Sequence, residues 1–147
     1  MKIKIDDSIP NIEEIKSMLV SAGFVVSDDA SLIVTNSETP IYIRVINKRN
    51  DIISLPVKEI VSIESLGKDN YVYTMNDEYI VRDTLENLVN KLGNNYLRIS
   101  KSTIIEKNSI KRIGPSIQMK YKLILINGRV SYVTRNYYYS FKEYFGL

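Results

Sequence analysis

From Ile41 onward, apolar residues recur at every second position in short runs, and each run is stopped by a turn signal. A period of two sends successive side chains to opposite faces, so such runs fold as half-buried strands and not as helices. The runs are Ile41 to Ile46, Ile52 to Leu55, Val61 to Leu66, Tyr71 to Met75, Glu78 to Arg82, Ser102 to Ile105, Ile110 to Ile113, Lys120 to Ile126 and Arg129 to Thr134. Between them stand Asn47 to Asp51, Pro56, Gly67-Lys68-Asp69-Asn70, Asn76-Asp77, Lys107-Asn108, Gly114-Pro115 and Asn127-Gly128. Asn-Gly is the strongest hairpin signal among them. The pattern predicts a mainly β fold.

Helical spacing is the exception. Asp83 with Glu86 three residues on has the form of a capping box, and Leu85, Leu88, Val89 and Leu92 form one apolar stripe ended by Gly93, which predicts a packing helix over about Thr84 to Leu92. The tail from Asn136 to Phe145 carries Tyr137, Tyr138, Phe141, Tyr144 and Phe145, a pattern for a short amphipathic helix. Its tyrosines could stack on bases, but an aromatic stripe at this spacing is more often core. Residues 1–36 read as a separate β-α-β-β unit: a strand at Lys2 to Ile5, a helix opened by Ser8-Ile9-Pro10 with Ile12, Ile15, Met18 and Leu19 on one side, then strands at Phe24 to Val26 and Leu32 to Val34. Residues 37–40, Ser-Glu-Thr-Pro, form the expected linker to a domain over 41–147.

Composition removes whole classes of chemistry. The chain has no cysteine and no histidine, which excludes disulfides, thiolate nucleophiles, imidazole general bases and His- or Cys-based zinc sites. Phosphate-loop and dinucleotide fingerprints are absent. The pairs Asp6-Asp7, Glu13-Glu14 and Asp28-Asp29 are adjacent in sequence, so their carboxylates diverge on any regular element. The expectation is a non-enzyme without metal or cofactor. No apolar run approaches the roughly 20 residues that cross a bilayer, and a cytoplasmic location is expected.

Charge is unevenly placed. From Arg98 to the end there are ten cations against two acids, a balance of +8, which leaves −5 in the preceding residues of a chain whose total is +3. That asymmetry is the footprint of a nucleic-acid-binding face joined to an acidic neighbour. Within the basic part, Leu97-Arg98-Ile99-Ser100-Lys101-Ser102-Thr103-Ile104-Ile105 sets two cations and small hydroxyls just before an apolar strand. The apolar residues anchor the segment, and Arg98, Ser100, Lys101 and Ser102 are expected to stay free for a polyanion.

The ordered set from Val61-Ser62-Ile63-Glu64-Ser65, through the Leu85-Leu88-Leu92 helix and Tyr96 to Ser102, to Asn127-Gly128 and Val133-Thr134-Arg135 resembles the LytTR-type DNA-binding domain of bacterial transcription regulators. The resemblance implies an elongated stack of small antiparallel sheets with one or two helices, preceded here by the small β-α-β-β unit. It also implies that loops on one edge enter duplex DNA. On this sequence those loops carry Lys68 and Asn70, then Arg98, Ser100, Lys101 and Ser102, then Thr134, Arg135 and Asn136. Family members usually have His or Asn where Ser100 stands, and often a cation or His where Asn70 stands, so the resemblance implies DNA binding without fixing the preferred bases.

An arginine fork at Arg135 can read guanine, and Lys101 is a point charge suited to a phosphate or groove edge. Asn70 either pairs with adenine or sits there for its backbone tolerance. The expected partner is double-stranded DNA at repeated sites, bound by a homodimer. Residues 1–36 would serve self-association or bind a regulatory protein or ligand. A chain of 147 residues is too short to hold a full receiver domain as well, so control by aspartyl phosphorylation is not expected. The alternative is a basic β-rich adaptor for an acidic protein.

Overall fold

The computed structural model describes residues 1–7, 9, 11–34 and 41–147. The expected linker at 37–40, and the Ser8 and Pro10 of the first helix start, lie outside the described residues. The chain divides into two compact units, Met1–Pro40 and Ile41–Leu147.

The first unit holds β1 (Lys2–Ile5), α1 (Ile12–Ser21), β2 (Val25–Val26) and β3 (Leu32–Val34). Its sheet has the order β2-β1-β3, with both outer strands parallel to β1. Ile3, Ile5 and Ile9 are its buried apolar residues. The helix starts at Ile12 after Asn11, whose φ of 60° is left-handed, and no residue of its apolar stripe is fully buried.

The second unit begins with β4 (Tyr42–Ile46) and β5 (Ile52–Pro56), then β6 (Ser62–Leu66), β7 (Asp69–Tyr73), β8 (Glu78–Val81) and α2 (Leu85–Leu92). It continues with β9 (Tyr96–Ser100), β10 (Thr103–Glu106), β11 (Ile110–Ile113), β12 (Tyr121–Leu125), β13 (Val130–Val133) and α3 (Tyr138–Phe145). Strands pair antiparallel in the order β5-β4-β8-β7-β6-β10-β9, and a second sheet has the order β11-β12-β13. The β4–β5 hairpin joins the larger sheet through a single pair, Ile46 with Ile80.

Two cores form on opposite faces of the larger sheet. Alternation along β10 assigns neighbours to each: Ile104 packs with Ile63, Val72 and the stripe Leu85, Leu88 and Leu92 of α2, while Ile105 packs with Ile99, Leu123, Leu125, Val133 and Phe141. Ile104 and Ile105 are both wholly buried. Each such side chain contributes about 1.5–3 kcal/mol by leaving water. The tail aromatics belong mainly to the second core, where Tyr121 stacks on Tyr138 with centroids 5.1 Å apart and Phe141 is fully buried.

Two local expectations are corrected. The residue that caps α2 is Thr84, one position later than Asp83: its side chain accepts from the Asn87 amide at 3.1 Å. Asp83 instead pairs with Lys91 at 2.6 Å and accepts from the Thr84 amide and the Asn87 side chain. The second difference is the turn at Gly67 to Asn70, which shrinks to the two residues Gly67-Lys68, because Gly67 takes φ 65° in the first loop position, where a tight hairpin needs glycine. Asn70 therefore lies on β7, paired with Ser65 and without a left-handed backbone.

At Asn127-Gly128 the hairpin forms, but only Gly128 has positive φ, at 84°. The Asn127 side chain is used across the sheets, donating to the Thr74 carbonyl at 3.0 Å.

Buried polar groups brace the joints. The Tyr96 hydroxyl reaches the carbonyls of Val57 and Ile60 at 2.5 and 3.2 Å, and burial pushes its phenol well above the ordinary tyrosine range. Tyr96→Phe leaves both carbonyls short of a donor and should cost about 1–2 kcal/mol in urea denaturation. Thr84→Ala should cost about 1 kcal/mol in the same assay. The Lys91 ammonium beside Asp83, then the Asn87 amide, hold that carboxyl below the usual range. A depressed folded-state value adds stability above the unfolded carboxylate value of about 3.9, and that stability is lost as pH falls through the lower folded value. Asp83→Asn should thus be less stable than the parent at pH 6, with the gap closing below pH 4.

Candidate nucleic-acid interface

Antiparallel pairing sets three turns at one end of the second unit. The β6–β7 tip, Gly67-Lys68, follows the pair Leu66–Asp69, and β10 runs beside β6 with Thr103 opposite Glu64. The Ser65 amide donates to the Ser102 carbonyl at 2.7 Å, which ties the β9–β10 tip to the β6–β7 tip. The Thr134 amide donates to the Ile99 carbonyl at 3.0 Å, which brings the end of β13 to the same place. The turns after β7 and β12 lie at the other end, where Asn127 reaches Thr74.

The stretch expected to lead into a strand is a hairpin in its own right. Lys101-Ser102 forms its two-residue tip, and neither residue has positive φ. Such turns splay a flat pair of strands; here a register shift between Thr103 and Ile104 lies beside the tip and adds local twist. Hydrogen bonds fix the tip, one of them between the Ser100 and Ser102 hydroxyls at 3.3 Å. Besides the Ser65 bond, the Ser102 amide donates to Ser100 Oγ at 3.2 Å, and an Arg98 guanidinium nitrogen donates to the Lys101 carbonyl at 2.5 Å.

That geometry divides the expected contact residues. Lys101 is exposed, and its ammonium has no hydrogen bond or ion pair among the described residues. Ser102 is half-buried at the tip. Ser100 and Arg98 were expected to stay free, and they do not: Ser100 is 7% exposed because it pairs with Thr103, and Arg98 is folded back as a brace with its Nε buried.

Lys68 and Arg135 are exposed and carry no ion pair among the described residues. Arg135 and Asn136 leave β13 in a short 3-10 turn, Arg135–Tyr137, after half-buried Thr134. Asn70 is engaged inward: its amide nitrogen donates to the Asp83 carbonyl at 2.5 Å, and its oxygen accepts from Ser65 Oγ.

A groove of about 450 Å³ opens between the two sheets at this end, lined by Ser100, Lys101, Ser102 and Thr103 on one side and Val130 to Tyr132, Thr134 and Asn136 on the other, with Glu64. It gathers five of the nine expected contact residues from positions more than thirty apart in sequence. Lys68, Asn70, Arg98 and Arg135 do not line it. A cavity of about 490 Å³ lies at the opposite end, among Asn47, Arg49, Tyr73, Asn76 and Asn127, and it contains none of the expected residues.

Glu64, Thr103 and Tyr132 are groove residues that the sequence reading did not single out. Period-two alternation marks them as strand positions, but their meeting depends on cross-strand register. Among the described residues no three His, Cys, Asp or Glu side chains are placed to hold a metal ion, and no helix is long and apolar enough to cross a membrane.

The sequence matches the family model of the LytTr DNA-binding domain over residues 50–146. No curated protein matches it. Among solved structures, it is similar to the LytTr DNA-binding domain of a protein described as a methyl-accepting/DNA response regulator from Bacillus cereus, with a TM-score of 0.66 and 21% identity, covering 72% of this chain and 97% of that one. At that identity the likeness speaks for the fold. The family match spans more than half of the chain, and with it the mainly β architecture and the paired tips have a common account: this chain belongs to the LytTR family of DNA-binding domains found in transcription regulators.

Proposed function

We propose that this chain regulates transcription by sequence-specific binding of duplex DNA through residues 41–147, with the rim at Lys68, Lys101 and Arg135 and the adjoining groove as the contact surface. The observation that carries this reading is the groove itself. It draws hydroxyls, an amide and an ammonium from two sheets to one edge, and these are the groups that phosphates and base edges accept.

Roles follow from the contacts. Lys101 meets a phosphate or a groove edge; Ser102, Thr134 and Asn136 supply shorter-range hydrogen bonds; Arg135 reads guanine with its two parallel donors. Arg98 acts on the hairpin by holding the Lys101 carbonyl, and Ser100 by accepting from Ser102. Asn70 fixes the end of β7 against Asp83 and Ser65. Lys68, on the neighbouring tip, adds a phosphate contact.

Residues 1–36 hold six acids against three lysines, a balance that disfavours DNA contact. They form a separate module, joined by the linker at 37–40, for self-association or for a regulatory protein. Two copies of the chain occupy repeated sites, in the bacterial cytoplasm.

Lys101→Ala should weaken binding across most duplex sequences and lower the slope of log affinity against log salt by about one. Arg135→Ala should relax preference at one base pair, by a discrimination of about 1–3 kcal/mol. Both are read by titrating the full chain with duplexes selected from a random pool. If random duplex fails to compete with bound partner at low ionic strength, the DNA reading falls and the acidic-protein adaptor takes its place. If Arg135→Ala leaves affinity and sequence ranking unchanged, Arg135 is not a reader.

A further inference from the structure

The groove has one feature that a phosphate-binding surface would avoid. Glu64 is the only carboxylate among its lining residues, beside Lys101 as the only cation. Its place there is built. Arg129, 65 residues away, meets Glu64 Oε2 at 3.0 Å, and the guanidinium lies 3.5 Å from the centre of the Tyr73 ring. On the same sheet Glu64 is paired with Tyr71 on one side and Thr103 on the other. The other carboxylate oxygen, Oε1, has no partner among the described residues, and the side chain keeps 30% of its exposure.

A fixed carboxylate repels a phosphate and attracts a donor. In the major groove the donors on base edges are the exocyclic amino groups, and an acidic side chain accepts most characteristically from cytosine N4. Arg129 is held by both contacts, stacked on Tyr73 and paired with Glu64. It orients the acid.

We propose that Glu64 is a specificity-determining residue of the DNA interface, accepting a hydrogen bond from the amino group of a cytosine that enters the groove, with Arg129 as its positioning residue. This rests on the DNA-binding reading and adds an acceptor to a surface otherwise understood through its donors. The groove receives a base edge, while the phosphates fall to Lys101 and Lys68 on the rim. The pair also joins the two sheets, and that structural role alone would leave base preference untouched.

The test uses the full chain and duplexes selected from a random pool, with every base pair of the preferred site then varied. Glu64→Gln should move the preference at one position from cytosine toward adenine, because a carboxamide can pair with adenine in two places. Glu64→Leu should abolish preference at that same position, a change of about tenfold, with other positions unaltered. Arg129→Gln should blur that position alone.

Thermal melting of each variant separates loss of fold from loss of reading. The parent chain gives a result that needs no variant: replacing each cytosine in turn by pyrimidin-2-one, which lacks the amino group, should cost about tenfold at one position. An unchanged base ranking in Glu64→Gln and Glu64→Leu overturns the proposal, and so does a uniform rise in affinity for all duplexes, which would mean repulsion only. Equal binding of the parent to every amino-deleted duplex overturns it as well. If the parent binds no duplex at low salt, the DNA-binding reading itself fails, which is a different result.

Discussion

The pairing of β10 with β6 is the contact on which the second unit depends. Its register places Ile104 opposite Ile63 and Ile105 opposite Ser62, so two consecutive residues of one strand enter two separate cores. Neither side chain keeps any exposure. A slip of one residue would exchange the faces and put Thr103 or Glu106 where one of the two isoleucines packs. The same register sets Thr103 against Glu64 and lets the Ser65 amide reach the Ser102 carbonyl, so the candidate edge and the two cores are fixed by one alignment.

The edge is built by a division between bracing and reaching. Backbone and short polar groups hold the tips: the Arg98 guanidinium on the Lys101 carbonyl, Ser100 on Ser102, and Asn70 between Ser65 and Asp83. Long side chains extend outward from the edge, namely the exposed Lys68, Lys101 and Arg135. Folding thus meets the ordering cost of the backbone at the tips and leaves the outer atoms of these three side chains unordered by any ion pair among the described residues. The basic excess after Arg98 is used in both ways, because Arg129 and Arg98 are spent on internal contacts.

Much of this was legible in the sequence, and the failures have identifiable causes. Strands and turns were readable because period-two alternation is local, and α2 because its stripe of Leu85, Leu88 and Leu92 is long and ends at Gly93. The cap was misplaced by one residue because Asp83 and Thr84 are both capping types, and only the reach of Lys91 decides between them. Asn70 was read as part of a turn because Gly67 shortens the loop from within. Burial of Ser100 and the groove position of Glu64 depend on pairs with β10, and sequence spacing does not encode such register. In the first unit, the spacing of Ile12, Ile15, Met18 and Leu19 marked a helix correctly but carried no information on how deeply that side would be covered.

The β9–β10 tip contains only two residues, both already at the limit of what a tight connection needs. Such a loop has no slack. Exchanging the side chain at Lys101 leaves this frame intact, but lengthening the loop would detach the Ser102 carbonyl from Ser65 and swing the whole finger off its neighbour. A change of side chain at this edge therefore keeps the two tips together, and an insertion parts them.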